Sequence, residues 1–359
     1  MRTSALAALG LVLRTWADGP PPGATTHEPE LYAAPGPPAP PNVPLPWGPA
    51  DCFVHPTWDT KEVIKVPNIQ YGSAYHPYKR RNISLELNAF FPPTSDVRDA
   101  RPAVVLIHGG AFIMGEKEDE DDWARLLSSR GYVVVSISYR VVPIPEAFLL
   151  FSAEPAVLAV EDARAAVRYL RKQASAWHID PTRIAVGGES AGAFATLYYA
   201  YARRNKDGTP ATEGESGNPG YPSVISAALS LSGAMVDRAF CAGVGPPPAY
   251  TPELCVVPGP PVTPDLTKNL AAGDIPGIDM HGTADTVVPY AGGLEWDRMA
   301  SAQGVPHAFL GVPQAGHVPK GQLFDPSGPY LASWLTFLSG ALNLARATCP
   351  ARAVGPVLV

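Results

Sequence analysis

Two periods of hydrophobicity alternate along residues 60–345 of this 359-residue chain. Residues 83–87 alternate between apolar and polar side chains, which is typical of a strand with one buried face. Residues 103–107 and 133–138 are short, mostly apolar runs, which indicate central strands buried on both faces. The same reasoning predicts four further strands, at residues 184–186, 227–231, 278–280 and 307–310.

Between these strands, apolar residues recur at the three- and four-residue spacing of an amphipathic helix. Residues 160–174 have this pattern, with Val160, Ala163, Val167 and Leu170 on one side and charged residues on the other. Further helices are predicted at residues 122–130, 191–201, 294–302 and 330–342. Strands that alternate with helices indicate βαβ units, so we expect an α/β fold with a mostly parallel central sheet and helices on both faces.

Two stretches interrupt this alternation. Residues 203–222 are polar and glycine-rich, which predicts an exposed loop, and residues 242–273 are proline-rich, which predicts an insertion over the carboxyl edge of the sheet. Residues 18–56 are also proline-rich, and because proline fixes φ and lacks a backbone donor, we expect an extended leader there. The folded domain is predicted to span residues 57–349, followed by a tail at 350–359.

The N-terminus and the cysteines concern cellular location. Residues 1–17 have the order of a signal peptide: a basic start, an apolar run and small residues. The cysteines form no Cys-x-x-Cys pair, and their even number favours disulfides, with three pairings open and Cys241–Cys255 and Cys52–Cys349 preferred. Asn82 begins an Asn-Ile-Ser glycosylation sequon. We therefore expect secretion. The alternative is that the N-terminal residues do not form a signal peptide.

Composition and charge exclude several classes of protein. With 46% hydrophobic and 17% charged residues, the chain has enough apolar side chains for a core, which excludes disorder along its whole length. No apolar run reaches the roughly 18 residues of a membrane-spanning helix, so no integral membrane segment is expected. The net charge of −6 and the lack of a long basic stretch argue against nucleic acid as the main partner.

The sequence Gly-Glu-Ser-Ala-Gly at residues 188–192 lies between a predicted strand and a predicted helix. This is the G-x-S-x-G nucleophile elbow in its required context, because the tight turn needs glycines and lifts the Ser190 hydroxyl above the sheet. A similar Gly-Glu-Ser-Gly at residues 214–217 follows no strand, and we do not interpret it as a site.

A serine nucleophile needs a base and a group that orients the base. After Ser190, the candidate acid is Asp285, just past a predicted strand, and the candidate base is His317, on the loop after the last strand. Both loops leave the same edge of the sheet as the serine, so a Ser190–Asp285–His317 triad is predicted. His281 and His307 are the rival histidines.

The sequence His-Gly-Gly-Ala at residues 108–111 follows a buried strand, where small residues let backbone N–H groups approach a tetrahedral intermediate. We expect the N–H groups of Gly110, Ala111 and Ala191 to form an oxyanion hole. The acidic run at residues 118–122 is interpreted as a solvated helix start, which suits the helix dipole, rather than as a cation site.

These motifs, together with His-Gly-Thr-Ala-Asp at residues 281–285 and Gly-His at 316–317, resemble the α/β-hydrolase superfamily. The resemblance is to carboxylesterases of the hormone-sensitive-lipase type and to the feruloyl-esterase-like branch. Residues 87–92, 138–140 and 179–181 are similar to family landmarks as well. The chain departs from the pattern at Ala111, where these esterases commonly have a third glycine, and in the proline-rich stretch at 242–273.

The resemblance implies that residues 57–349 form a catalytic domain that cleaves carboxylic esters through an acyl-enzyme. It implies no metal or organic cofactor, and the expected partner is a small-molecule ester. A peptidase or amidase on the same fold is the first alternative, and a non-catalytic binding module is the second. The sequence leaves acyl and alcohol specificity and the oligomeric state open.

Overall fold

A computed structural model describes residues 53–96, 98–142, 154–202, 213–234 and 270–344. The predicted signal peptide, all four cysteines, the tail at 350–359 and most of the insertion at 242–273 lie outside these ranges. In the described part of the chain, no helix is long and apolar enough to cross a membrane.

The centre of the fold is one eight-stranded sheet. Its strands are β1 (Ile64–His76), β2 (Arg81–Phe91), β3 (Arg101–Ile107), β4 (Val133–Ile137), β5 (Ile179–Glu189), β6 (Ala227–Leu231), β7 (Gly277–Gly282) and β8 (His307–Val312). Their order across the sheet is β1-β2-β4-β3-β5-β6-β7-β8. The first two pairings, β1 with β2 and β2 with β4, are antiparallel, and the other five are parallel.

Six α-helices accompany the sheet in the described residues: α1 (Asp121–Ser128), α2 (Glu154–Lys172), α3 (Ala191–Tyr201), α4 (Tyr290–Gln303), α5 (Lys320–Phe324) and α6 (Pro329–Ala341). Short 3₁₀ turns lie at Thr60–Glu62 and Lys117–Glu120. Every strand and helix predicted from hydrophobic periodicity is present, and the predicted mostly parallel sheet with helices is confirmed. Strand β1 and helix α5 were not predicted.

Successive residues of the central strands contribute to cores on opposite faces of the sheet, because side chains alternate along a strand. In β3, Val104 and Leu106 face the core that contains Trp123 of α1 and Trp334 of α6, whose rings lie 5.4 Å apart. Ala103, Val105 and Ile107 of the same strand contribute to the opposite core, which α2 and α3 cover. Helices on both faces explain why β3 to β6 are apolar on both sides.

Residues 203–212 of the predicted exposed loop lie outside the described residues. Residues 213–222 form a mostly exposed loop, as predicted, but the prediction is wrong for Ser216. Ser216 is buried, and its hydroxyl donates to Asp162 Oδ1 at 2.6 Å. The Arg140 guanidinium binds the same carboxylate and also donates to the Ser216 hydroxyl at 3.1 Å. Ser216 therefore binds a buried ion pair, whereas Glu213, Glu215 and residues 219–222 are exposed as predicted.

Candidate active site

Ser190 lies in the sharp turn between β5 and α3. Its backbone has φ 50° and ψ −119°, a strained conformation for a residue with a side chain. The glycines of the motif are needed at this turn: a Cβ on Gly192 would lie 2.0 Å from the Ile107 carbonyl oxygen, and one on Gly188 would lie 2.5 Å from the backbone of Gly192. The motif therefore forms the strand–turn–helix elbow that the sequence predicts.

His317 is in contact with both Ser190 and Asp285. Its Nε2 lies 2.9 Å from Ser190 Oγ, and its Nδ1 lies 2.8 Å from Asp285 Oδ2. The three side chains come from the loops that follow β5, β7 and β8. Because these strands are parallel, the loops leave the same edge of the sheet, as the order Ser, Asp, His along the chain predicts.

The loops that carry the acid and the base are packed directly against each other. A Cβ on Gly282, three residues before Asp285, would lie 2.1 Å from the carbonyl oxygen of Gly316, the residue before His317. Asp285 Oδ1 also accepts hydrogen bonds from the backbone N–H groups of Val287 and Val288, each at 2.9 Å. These contacts fix the carboxylate relative to the imidazole.

The charge of Asp285 is stabilised although the residue is mostly buried. Burial by itself raises the pKa of this carboxyl group, but hydrogen bonds from His281 and His317 outweigh that effect and hold the pKa well below its usual value. Asp285 is therefore ionised at neutral pH and accepts the Nδ1 proton of His317. That hydrogen bond leaves Nε2 of the neutral imidazole free to accept a proton from the serine.

The loop that follows β3 lies against the elbow. A Cβ on Gly109 would be 3.3 Å from the Cβ of Ser190. The next three residues, Gly110, Ala111 and Phe112, all have positive φ, at 99°, 51° and 62°. Three successive left-handed residues turn the backbone sharply beside the serine, and a tight turn of this kind can direct N–H groups into the site.

Contacts between His108 and Tyr139 fix the position of this loop. The His108 ring stacks on Tyr139 with a centroid distance of 4.3 Å, and the Tyr139 hydroxyl donates to the His108 carbonyl oxygen at 3.2 Å. Both side chains are buried, so the loop is anchored at its first residue.

The rival histidines have other contacts. His307 lies near Asp297 and Ser301 of α4, with its Nε2 3.1 Å from the Asp297 carboxylate. His281 contacts Asp285, with its Nε2 3.3 Å from Asp285 Oδ2, and its ring nitrogens also face Asp279 and the Val288 carbonyl oxygen. Of the three candidate histidines, His317 is the one that the structure brings to Ser190.

The interpretation of residues 118–122 as a solvated helix start is wrong for Glu120. This residue ends the 3₁₀ turn and is fully buried. Its Oε2 lies 3.2 Å from Nζ of Lys320, and the same ammonium lies 2.5 Å from Oε2 of Glu189, next to Ser190. Burial and the charge of Glu189 both raise the pKa of Glu120. The turn is therefore partly buried, and an ammonium lies between its last carboxylate and that of Glu189.

Parts of the chain are similar to known esterases. Residues 87–226 match the BD-FAE family model. The chain is 33% identical over 122 residues to esterase LipI of Mycobacterium tuberculosis, a match that covers 34% of this chain and 35% of that protein. It is 32% identical over 127 residues to carboxylesterase NlhH of the same species, covering 35% and 36%. The chain thus spans about a third of the length of these curated relatives.

Solved structures are similar over a larger share of the chain. The apo form of Thermogutta terrifontis esterase 2 covers 81% of this chain and 98% of its own, with a TM-score of 0.57 and 20% identity. The native form of the same enzyme gives a TM-score of 0.55 at 22% identity, covering 80% and 91%. At this identity the similarity shows the fold, which agrees with the motifs and the family-model match. The described part of the chain therefore has an α/β-hydrolase fold, and residues 87–226 are similar to the BD-FAE family.

Proposed function

We propose that the protein is a serine esterase that cleaves carboxylic esters through an acyl-enzyme. The observation that carries the proposal is the position of His317, whose two ring nitrogens lie within hydrogen-bonding distance of Ser190 Oγ and Asp285 Oδ2. A nucleophile, a base and an orienting carboxylate in this arrangement are what acyl transfer requires.

In the first half of the reaction, Ser190 Oγ attacks the ester carbonyl while His317 Nε2 takes the hydroxyl proton. Asp285 keeps Nδ1 protonated and stabilises the imidazolium that forms. The N–H groups of Gly110, Ala111 and Ala191 hold the negative charge on the carbonyl oxygen. The imidazolium then donates its proton to the leaving alcohol, and an acyl group remains bonded to Ser190.

In the second half, water attacks the acyl-enzyme with His317 again acting as the base. Collapse of the second tetrahedral intermediate releases the carboxylic acid and returns the proton to Ser190. Every step uses side chains and backbone groups of the chain, and the substrate is a small-molecule ester.

The test is a chain-length series of p-nitrophenyl esters, from acetate to palmitate with a ferulate ester, on the wild type and Ser190→Ala. We expect turnover of short chains that Ser190→Ala lowers at least about 10⁴-fold, while the far-UV circular dichroism spectrum is unchanged. A Ser190→Ala variant that keeps wild-type turnover would overturn the proposal. Labelling by a fluorophosphonate without ester turnover would favour a peptidase, and no labelling at all would favour a binding module.

Secretion is a separate proposal, which rests on the N-terminal pattern and the cysteines. Asn82 of the sequon is exposed at the start of β2, so a glycan could be attached there if the chain entered a eukaryotic secretory route.

A further inference from the structure

Two buried polar residues lie behind the candidate triad, on one face of β7. Asp279 and His281 are two positions apart, so both side chains point to the same side of the sheet. Both are fully buried, although β7 is otherwise apolar apart from its glycines. Polar side chains that are this deeply buried need partners, and these two are partners of each other.

Each ring nitrogen of His281 faces an oxygen. Nδ1 lies 3.2 Å from Asp279 Oδ2. Nε2 lies 2.9 Å from the carbonyl oxygen of Val288 and 3.3 Å from Asp285 Oδ2. A neutral imidazole has one N–H, so one of its nitrogens would direct a lone pair at an oxygen lone pair. With Asp279 ionised, only the doubly protonated ring satisfies all three contacts.

The opposite end of the Asp279 carboxylate is also bound. Its Oδ1 accepts a hydrogen bond from the Ser230 hydroxyl at 2.5 Å and one from the Gly233 N–H at 3.2 Å. Two donors at one oxygen and an imidazolium at the other suit an ionised carboxylate, because ionised aspartate is an acceptor only. The pair is therefore an ion pair with its hydrogen bonds filled.

Helix α4 covers the pair closely. A Cβ on Gly293 would lie 2.7 Å from His281 Nδ1 and 3.1 Å from Asp279 Oδ2, so glycine is required for the helix to approach. The Tyr290 ring meets the His281 ring edge-on at 5.8 Å. The titratable groups in contact with His281 are thus Asp279 from its own strand, Asp285 from the following loop and Tyr290 from α4.

From these contacts, and resting on the serine-hydrolase chemistry proposed above, we propose that His281 is a positioning residue: a buried imidazolium between Asp279 and Asp285 that fixes the triad carboxylate and extends turnover to lower pH. His281 and His317 both contact the same oxygen, Asp285 Oδ2, at 3.3 Å and 2.8 Å. The cation neutralises part of the charge that would otherwise favour protonation of His317. The acidic limit of turnover therefore depends on this cation.

Electrostatics are consistent with this charge state. Burial lowers the pKa of His281, but hydrogen bonds to Asp279 and Asp285 outweigh burial and raise it to about 10. The ring is then cationic across the pH range in which a serine esterase works.

The first test measures the charge of the His281 imidazole, and this measurement does not depend on activity. In protein labelled with ¹⁵N-histidine, long-range ¹H–¹⁵N spectra at pH 7 should show both His281 nitrogens protonated, with the resonance assigned by its loss in His281→Gln. A neutral ring in the wild type would overturn the proposal whether or not the protein turns over esters. Lack of ester turnover with a charged ring would instead overturn the proposed function.

The second test is the acidic limb of kcat/KM against pH, which reports protonation of the essential base in the free enzyme. His281→Gln removes the cation. Asp279→Asn keeps the shape of the aspartate side chain but removes the negative charge that stabilises the His281 cation. We expect the limb to move to higher pH, by about one pH unit for His281→Gln and in the same direction but less for Asp279→Asn. A merely structural role would lower turnover without moving the limb, so unshifted limbs in both variants would overturn the proposal.

Discussion

Lys320 and Glu189 form an ion pair, 2.5 Å between Nζ and Oε2, that joins the loop of His317 to the elbow of Ser190. Lys320 comes three residues after the histidine, and Glu189 immediately precedes the serine. The same ammonium reaches the buried carboxylate of Glu120. One cation thus connects three segments that surround the site.

Replacing Lys320 by Met should weaken the fold and the site together. It removes the cation that Glu120 and Glu189 share, and since Lys320 is itself partly exposed we expect a loss of about 2 kcal/mol in the free energy of unfolding. Ester turnover should fall several-fold because the loop of His317 loses the Lys320–Glu189 ion pair that joins it to the elbow. Urea unfolding at pH 7 and p-nitrophenyl acetate turnover measure the two effects. Lys320→Arg keeps the charge and is the control; a Met variant as stable and active as this control would contradict the prediction.

Glu120 should make the stability depend on pH. Its folded-state pKa is raised, so above the ordinary glutamate pKa of about 4.3 the folded protein binds more protons than the unfolded chain. Stability contributed by this group therefore falls as pH rises, until the folded-state pKa is passed. Glu120→Gln removes the effect.

The measurement is urea unfolding of the wild type and Glu120→Gln at several pH values between 4 and 8. We expect the variant to gain stability relative to the wild type as pH rises, by at most about 1.4 kcal/mol for each pH unit. A stability difference that does not change with pH would show that Glu120 is ionised in the folded protein.

Ser216 and Ser190 lie in similar short motifs but should respond to alanine in opposite ways. Ser216 binds the buried Asp162–Arg140 pair, so Ser216→Ala should lower the free energy of unfolding by about 1.5–3 kcal/mol. Turnover per folded molecule should stay at the wild-type level. Ser190→Ala should abolish turnover at little cost in stability. Equal loss of turnover in the two variants would refute this assignment.

Ala111 has φ 51° in the loop beside the serine, a conformation that costs an L-residue about 1–2 kcal/mol. Ala111→Gly removes this strain but adds freedom to the unfolded chain, and we expect a net gain of about 0.5 kcal/mol in unfolding free energy. Thermal unfolding measures the effect. The control is Ala193→Gly inside α3, which should lose about 1 kcal/mol or more; a loss of stability at both positions would contradict the strain at Ala111.

The central part of the fold could be predicted because parallel strands buried on both faces leave a simple signal in the sequence. Strand β1 left none. It lies at the edge of the sheet, contains Pro67, and shifts register after Val66 and again after Gln70, so its apolar residues do not alternate regularly. Helix α5 is a single turn, too short for periodicity to show.

The same distinction holds for the site. Ser190, Asp285 and His317 could be proposed from sequence because each follows a recognisable strand, and parallel order brings their loops to one edge. The burial of Glu120 could not be predicted from the sequence, because its partner Lys320 is 200 positions away along the chain. The sequence points to His281 only as a rival base, and its two-residue spacing from Asp279 on a strand is the sign that the two side chains share a face.

The order of the parallel strands determines the position of the second half of the site. The family-model match ends at residue 226, so it includes the serine and leaves out Asp285 and His317. Those two residues are held by β7 and β8, which pair in register outward from β5 through β6. Strand order and register therefore set how far the loops of Asp285 and His317 lie from the loop of Ser190 across the edge of the sheet.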